Sequence, residues 1–140
     1  MALRSGDVAV GDQWESIVVD NLSRTQIVQY AGASGDFNPL HTDERFAREI
    51  AGYPGVFAHG MLTMALTGRH VTDLVGDGCL LRFGVRFLKQ VWPGYTLTSR
   101  ITVVGFQETP DGPMVDLKIE TANQIGEIVA SGSAAAIMDP

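Results

Sequence analysis

Cysteine is nearly missing from this chain, with Cys79 the only one in 140 residues. A lone thiol can neither close an internal disulfide nor build a multi-cysteine zinc or iron–sulfur site, and it fits a reducing compartment. Positive charge is also scarce. Ten Lys and Arg stand against sixteen Asp and Glu, a net charge of −6, and the cations are scattered. No basic stripe exists for a phosphate backbone, which speaks against nucleic acid as a partner. A small anionic ligand stays open, since a few local cations suffice for it. Long apolar runs are absent too: no segment approaches the eighteen residues of a membrane span, and Met1 to Asp12 carries Arg4, Asp7 and Asp12 instead of the apolar stretch of an export signal. Neither end shows a lipidation signal. We expect a cytoplasmic protein with no membrane contact.

What is present describes an ordinary globular chain, 45% hydrophobic and 19% charged. One domain, residues 1–140, is the expectation. The C-terminal half reads as strands. From Leu80 to Val91 one parity holds Leu81, Phe83, Val85 and Phe87 while the other holds Arg82, Gly84 and Arg86, the period of a strand with one buried face. Pro93-Gly94 turns the chain into Thr96 to Phe106, where Leu97, Ile101 and Val103 share a parity. Pro110-Asp111-Gly112-Pro113 turns it again, into Val115, Leu117 and Ile119 alternating with Asp116, Lys118 and Glu120. Asn123 to Gly126 leads to an Ala- and Gly-rich last strand, Glu127 to Met138. Three consecutive short connections predict an antiparallel meander of these strands.

The N-terminal half differs. Gln13 to Leu22 supplies another strand, and Ser23 or Thr25 caps a short helix running to about Ala33. Thr42 to Ile50 reads as a second helical piece. The longest helix, Gly60 to Leu74, carries Met61, Leu62, Met64, Ala65, Leu66, Val71 and Leu74 around most of its circumference, so burial on most sides is expected. The sheet is the available wrapper. The predicted class is α+β, one central helix in the curve of an antiparallel sheet.

Chemistry concentrates in Ala33-Ser34-Gly35-Asp36-Phe37-Asn38-Pro39-Leu40-His41. Asp36 and His41 lie five positions apart. Five helical steps of about 100° put them on different faces, and an odd spacing in a strand puts them on opposite sides, about 16 Å apart. Pro39 disfavours helix at Asn38, and Gly35 frees the chain before Asp36. A turn can therefore bring the two side chains together, where a carboxylate and a neutral imidazole can hold a water and shuttle its proton. By spacing alone an Asx turn before a helix, with His41 exposed, is the commoner reading. A second feature is Ala58-His59-Gly60-Met61 at the start of the long helix, where the free Gly60 and Met61 amides can receive a carbonyl oxygen that gains charge. His59 reads as a satisfied core histidine, and His70 has no assigned role. No shared ligand spacing joins Asp36, His41, His59 and His70, so no metal site is expected. Cys79, in a turn without a neighbouring His, reads as inert.

Ser34-Gly35-Asp36-x-Asn38-Pro39-x-His41, Phe46-Ala47, His59-Gly60-Met61, and Phe87 with Pro93-Gly94 together resemble the MaoC-like, R-specific enoyl-thioester hydratases and dehydratases. Within that family the chain looks most like the HadB type. The resemblance spans nearly the whole chain and implies the hotdog fold. It implies that trans-2-enoyl thioesters, on coenzyme A or an acyl carrier protein, are reversibly hydrated to (3R)-3-hydroxyacyl thioesters without a cofactor. Asp36 and His41 would activate the water and handle the α-proton, Asn38 would hold the loop, and the Gly60 amide would bind the thioester oxygen. It implies a dimer through the sheet, either a homodimer or a heterodimer with another hotdog subunit. A hotdog thioesterase and a non-catalytic acyl-binding subunit are the alternatives. Two departures stand out: Tyr95 follows Pro93-Gly94 where Asp is usual, and Gly68 replaces a serine found near substrate in some members, which leaves open a compensating role for Thr67. Arg82, Arg86 and Lys89 could meet the phosphates of the carrier, but exposed strand cations usually do nothing specific and they stay outside the site. Phe46, Phe57 and Met61 either border the pocket or lie in the core, the commoner reading.

Overall fold

Five antiparallel strands and two helices make up most of the molecule, whose computed structural model describes residues 3–140. In chain order these are β1 (Gln13–Val19), α1 (Arg24–Ser34), α2 (Gly60–Val75), β2 (Leu80–Phe87), β3 (Leu97–Thr109), β4 (Gly112–Ala122) and β5 (Ile128–Ile137). The sheet runs β1-β3-β4-β5-β2. β3 to β5 form a meander, but β2, expected as its first strand, pairs with β5 instead of β3, so the Pro93-Gly94 connection crosses the sheet rather than closing a hairpin. Register in β3 and β4 follows the apolar parity: Ile101 pairs with Ile119 and Val103 with Leu117, all four buried. On this face Val71, Leu74 and Val75 of α2 meet Ile101, Leu117 and Ala134 in one core. This is the α+β arrangement that the sequence pattern predicts and the hotdog fold that the family resemblance implies.

Ser23 caps α1 by accepting a hydrogen bond from the Gln26 amide, as residue type and position predict. The Thr42 to Ile50 segment does not form a regular helix. A 3-10 turn at Pro39–His41 precedes it, and Phe46–Ile50 is one wide turn closed by the Ala51 amide on the Phe46 carbonyl. Glu44 sits between, ion-paired to Arg24 and Arg48, with its carboxyl held below the usual range chiefly by its bond to Arg24. The acidic side chain thereby ties this segment to the start of α1.

Two expectations about burial are corrected. α2 is open along one stripe: Met61, Ala65, Arg69 and Asp73, spaced by four, are exposed, Met61 to 54%. The sheet wraps only one side of the helix. The other borders an apolar cavity of about 450 Å³ lined in part by Tyr30, Met64, Gly68 and Phe83. The second correction concerns β2, which ends at Phe87, short of Val91, and buries less than its alternation suggests. Phe83 and Val85 are half-buried, but Leu81 and Phe87 are 58% and 47% exposed. β2 is an edge strand, and its register on β5 slips between Leu80 and Arg82, which breaks the parity. Its contact with β5 requires glycine: a Cβ on Gly132 would lie 1.9 Å from the Gly84 carbonyl oxygen.

Among the described residues no helix is long and apolar enough to cross a membrane. Helix and sheet are joined by a polar contact inside the core, where the Thr67 and Thr121 hydroxyls, both fully buried, share a 2.7 Å hydrogen bond. Thr67→Val removes one partner and strands the other, so chemical denaturation should show a loss of about 1–3 kcal/mol. Adding Thr121→Val should restore most of it, because a matched apolar pair leaves no orphaned hydroxyl. Additive losses in the double variant would show that the hydroxyls do not depend on each other.

Candidate active site

The loop after α1 explains how positions five apart in sequence can meet. Gly35 closes the helix with φ 75° and donates its amide to the Ala31 carbonyl, a left-handed conformation that costs glycine little. The next residue, Asp36, accepts the Asn38 amide on Oδ1 at 3.2 Å. Asn38 in turn accepts the Leu40 amide on Oδ1 at 3.0 Å, and its carbonyl accepts the His41 amide at 3.1 Å. Pro39 opens this last turn. Each side chain caps the backbone two residues ahead, and the chain doubles back. Asp36 and Asn38 are exposed while His41 is buried. The Asx-turn reading therefore describes the backbone correctly, and His41 turns inward from it.

His41 Nδ1 lies 2.6 Å from the Phe57 carbonyl oxygen. A carbonyl can only accept, so Nδ1 carries the proton and the neutral ring presents Nε2 as a lone pair. Burial pushes the His41 pKa below its ordinary value; the Phe57 carbonyl and the Asp36 charge oppose the shift, and His59 adds to it. The group is thus a neutral base near pH 7. An Asp36 carboxylate oxygen and one ring nitrogen each of His41 and His59 all lie within 4.8 Å of one another.

His59 is the residue whose place the sequence reading missed. It is 1% exposed, as a core histidine should be, yet its Nε2–H donates to the Asp36 carbonyl at 2.9 Å. Its ring stacks on His41, with centroids 3.9 Å apart and planes 25° from parallel. Tyr30 meets the same ring edge-on at 4.9 Å. Nothing local in the sequence signals a contact across 23 positions. By distance alone the three side chains could surround a metal ion. Stacking argues otherwise: ring lone pairs lie in the ring planes, so nearly parallel rings aim them side by side rather than at a common centre.

Residue 60 opens α2, and the first amides of a helix have no partner within it. Gly60 lines a cavity of about 220 Å³ together with Phe57, Thr63, Phe87, Lys89 and Val129. Phe57 thus belongs to the cavity wall and also holds His41 through its carbonyl. A Cβ at Gly60 would lie 2.9 Å from the Phe87 ring, so glycine is what lets the ring cover the helix start. Gly68 makes the same kind of notch for Phe83, at 2.9 Å. Thr67 does not take the place of a serine there, because its hydroxyl is bonded to Thr121 in the core. Phe57 and Met61 are not plain core: the first walls the smaller cavity and the second lines the larger one. Phe46 is half-buried. Lys89 pairs with Glu127 and Arg82 with Asp116 at 3.5 Å.

The model of the MaoC like domain matches residues 7–124. The 3-hydroxyacyl-thioester dehydratase Y of Mycobacterium tuberculosis is 41% identical over 71 residues, 49% of this chain and 24% of that protein. The chain thus matches about a quarter of that relative's length. Among solved structures, the unliganded R-hydratase PhaJ1 from Pseudomonas aeruginosa has a TM-score of 0.83 at 26% identity, covering 99% of this chain and 86% of that one. The (R)-hydratase of A. caviae involved in PHA biosynthesis has a TM-score of 0.82 at 25% identity, covering 96% and 99%. The family model matches most of the chain and two hydratases share its fold over 99% and 96% of its length, and the chain belongs to the MaoC-like dehydratase family.

Proposed function

We propose that this chain catalyses the reversible addition of water to trans-2-enoyl thioesters to give (3R)-3-hydroxyacyl thioesters. The observation that carries the reading is the meeting of Asp36 with a neutral His41, both within 4.8 Å of His59, the residue that directly precedes the open start of α2. In the hydration direction the thioester oxygen accepts from the Gly60 amide. Asp36 and His41 hold a water, one of its protons passes to the pair as its oxygen bonds to Cβ, and the electron pair of the double bond moves toward the thioester oxygen. Proton return to Cα from the pair completes the addition, so H and OH are both accounted for. Charge on that oxygen is the costly part of the path, and amides in a partly enclosed site are suited to it. Asn38 keeps the loop in shape through the two bonds described above.

The carrier is coenzyme A or an acyl carrier protein, and the active form is a dimer. The free edge at β2, with Leu81, Phe87 and Leu88 exposed, supports association with an identical chain or with another hotdog subunit, since an open apolar edge invites pairing. Action in the cytoplasm fits a chain with one thiol, the half-buried Cys79. No cofactor is part of this reading.

Asp36→Asn and His41→Ala should each lower turnover of crotonyl-CoA by about 10²–10⁴-fold while leaving the circular dichroism spectrum unchanged; full activity in both ends the proposal. The His41 shift gives a pH expectation. The unfolded imidazole titrates near 6.5 and the folded one below it, so kcat/KM should hold down to about pH 6.5 and fall only on further acidification. The same difference, with His70 also pushed down by burial, gives a contribution to stability that is full above 6.5. It is lost as pH falls toward the folded pKa. An acid limb above 6.5 would show that the essential base is another group. Light scattering should give twice the 15.1 kDa chain mass, or that of a mixed pair when a second hotdog subunit is supplied; a monomer under both conditions contradicts the edge pairing.

A further inference from the structure

The loop that carries Asp36 and His41 is exposed at Asp36 and Asn38, and its internal bonds are short-range turns. Something must fix it against α2 if the acid, the base and the Gly60 amide are to act on one molecule. The Phe57 amide donates to the Leu40 carbonyl at 3.3 Å, and two imidazole contacts across the same gap place the acid and the base. One is the His41 Nδ1–H to the Phe57 carbonyl. The other is the His59 Nε2–H to the Asp36 carbonyl, from the residue directly before Gly60. His59 is 1% exposed, its Nδ1 has no partner, and its ring lies flat under His41. Tyr30 of α1 packs against its other surroundings edge-on. A side chain placed only to fill core space needs neither the bond to Asp36 nor the stack.

We propose that His59 is a positioning residue for the reaction: its Nε2–H anchors the Asp36 backbone beside the start of α2, and its ring forms the floor on which the His41 imidazole rests. The inference rests on the hydratase reading and adds to it a residue that acts through Asp36 and His41. Because Gly60 follows His59 in the chain, one residue sets the distance between the proton-transfer pair and the amide that receives the thioester oxygen. Displacements of about 1 Å at such a site cost about 10²-fold in rate.

His59→Gln and His59→Asn separate positioning from packing. Both are amides of similar polarity, but only Gln places a donor where Nε2 stood. In the whole protein with crotonyl-CoA, His59→Asn should lower kcat about 10²-fold with KM within about threefold of wild type. His59→Gln should recover at least about tenfold of that loss at a similar Tm. Equal kcat in the two folded variants, or a wild-type kcat in His59→Asn, overturns the inference. The wild-type chain assayed alongside tests the reaction itself: no turnover there defeats the hydratase reading. Imidazole 15N NMR of the wild type needs neither substrate nor a variant that folds. His59 protonated at Nε2 and bare at Nδ1 supports the anchor, and the opposite tautomer overturns it.

Discussion

Two hydrogen bonds from imidazole to backbone carbonyl govern the site. His41 reaches the Phe57 carbonyl and His59 reaches the Asp36 carbonyl, so the loop after α1 and the segment before α2 each hold the other's histidine. The first bond also decides chemistry, because it places the proton on Nδ1 and leaves Nε2 to accept. Burial then keeps the ring neutral. The same few atoms therefore settle position, tautomer and charge state. Beside them the loop is tied to the same segment by the Phe57 amide on the Leu40 carbonyl at 3.3 Å, a backbone bond that sets neither tautomer nor charge.

The sheet serves this arrangement by placing the start of α2. The helix rests on β3, β4 and β5 through Val71, Leu74 and Val75 and through the Thr67–Thr121 bond, all in its middle and end. Its first residue is left at the rim of the core, where Phe87 covers Gly60. Glycine at that position leaves room for an aromatic ring on one side and a cavity on the other.

Much of this was legible in the sequence because it is written locally. The β3–β4 alternation, the Ser23 cap and the Gly35 and Pro39 breaks each depend on neighbours within a few residues. The spacing of Asp36 and His41 permits their proximity without requiring it: helix and strand forbid it and a turn allows it. By spacing alone the same turn with His41 exposed is the commoner reading, and the family resemblance is what favours their meeting. What was not legible depends on distant pairing. The stack of His59 on His41 joins residues on either side of the wide turn at Phe46–Ile50. The exposure of Leu81 and Phe87 depends on β2 lying at an edge, a fact of sheet order rather than of parity. The open stripe on α2 has the same origin: a mean composition can call a helix buried, but only topology says which side lacks a neighbour.

Hydration of crotonyl-CoA in D2O tests the central claim most directly. The account predicts loss of the enoyl absorbance without release of thiol, one solvent deuterium on Cα, and a 3-hydroxybutyryl product of R configuration. Free coenzyme A appearing while the enoyl absorbance persists would contradict it, and so would a product of S configuration.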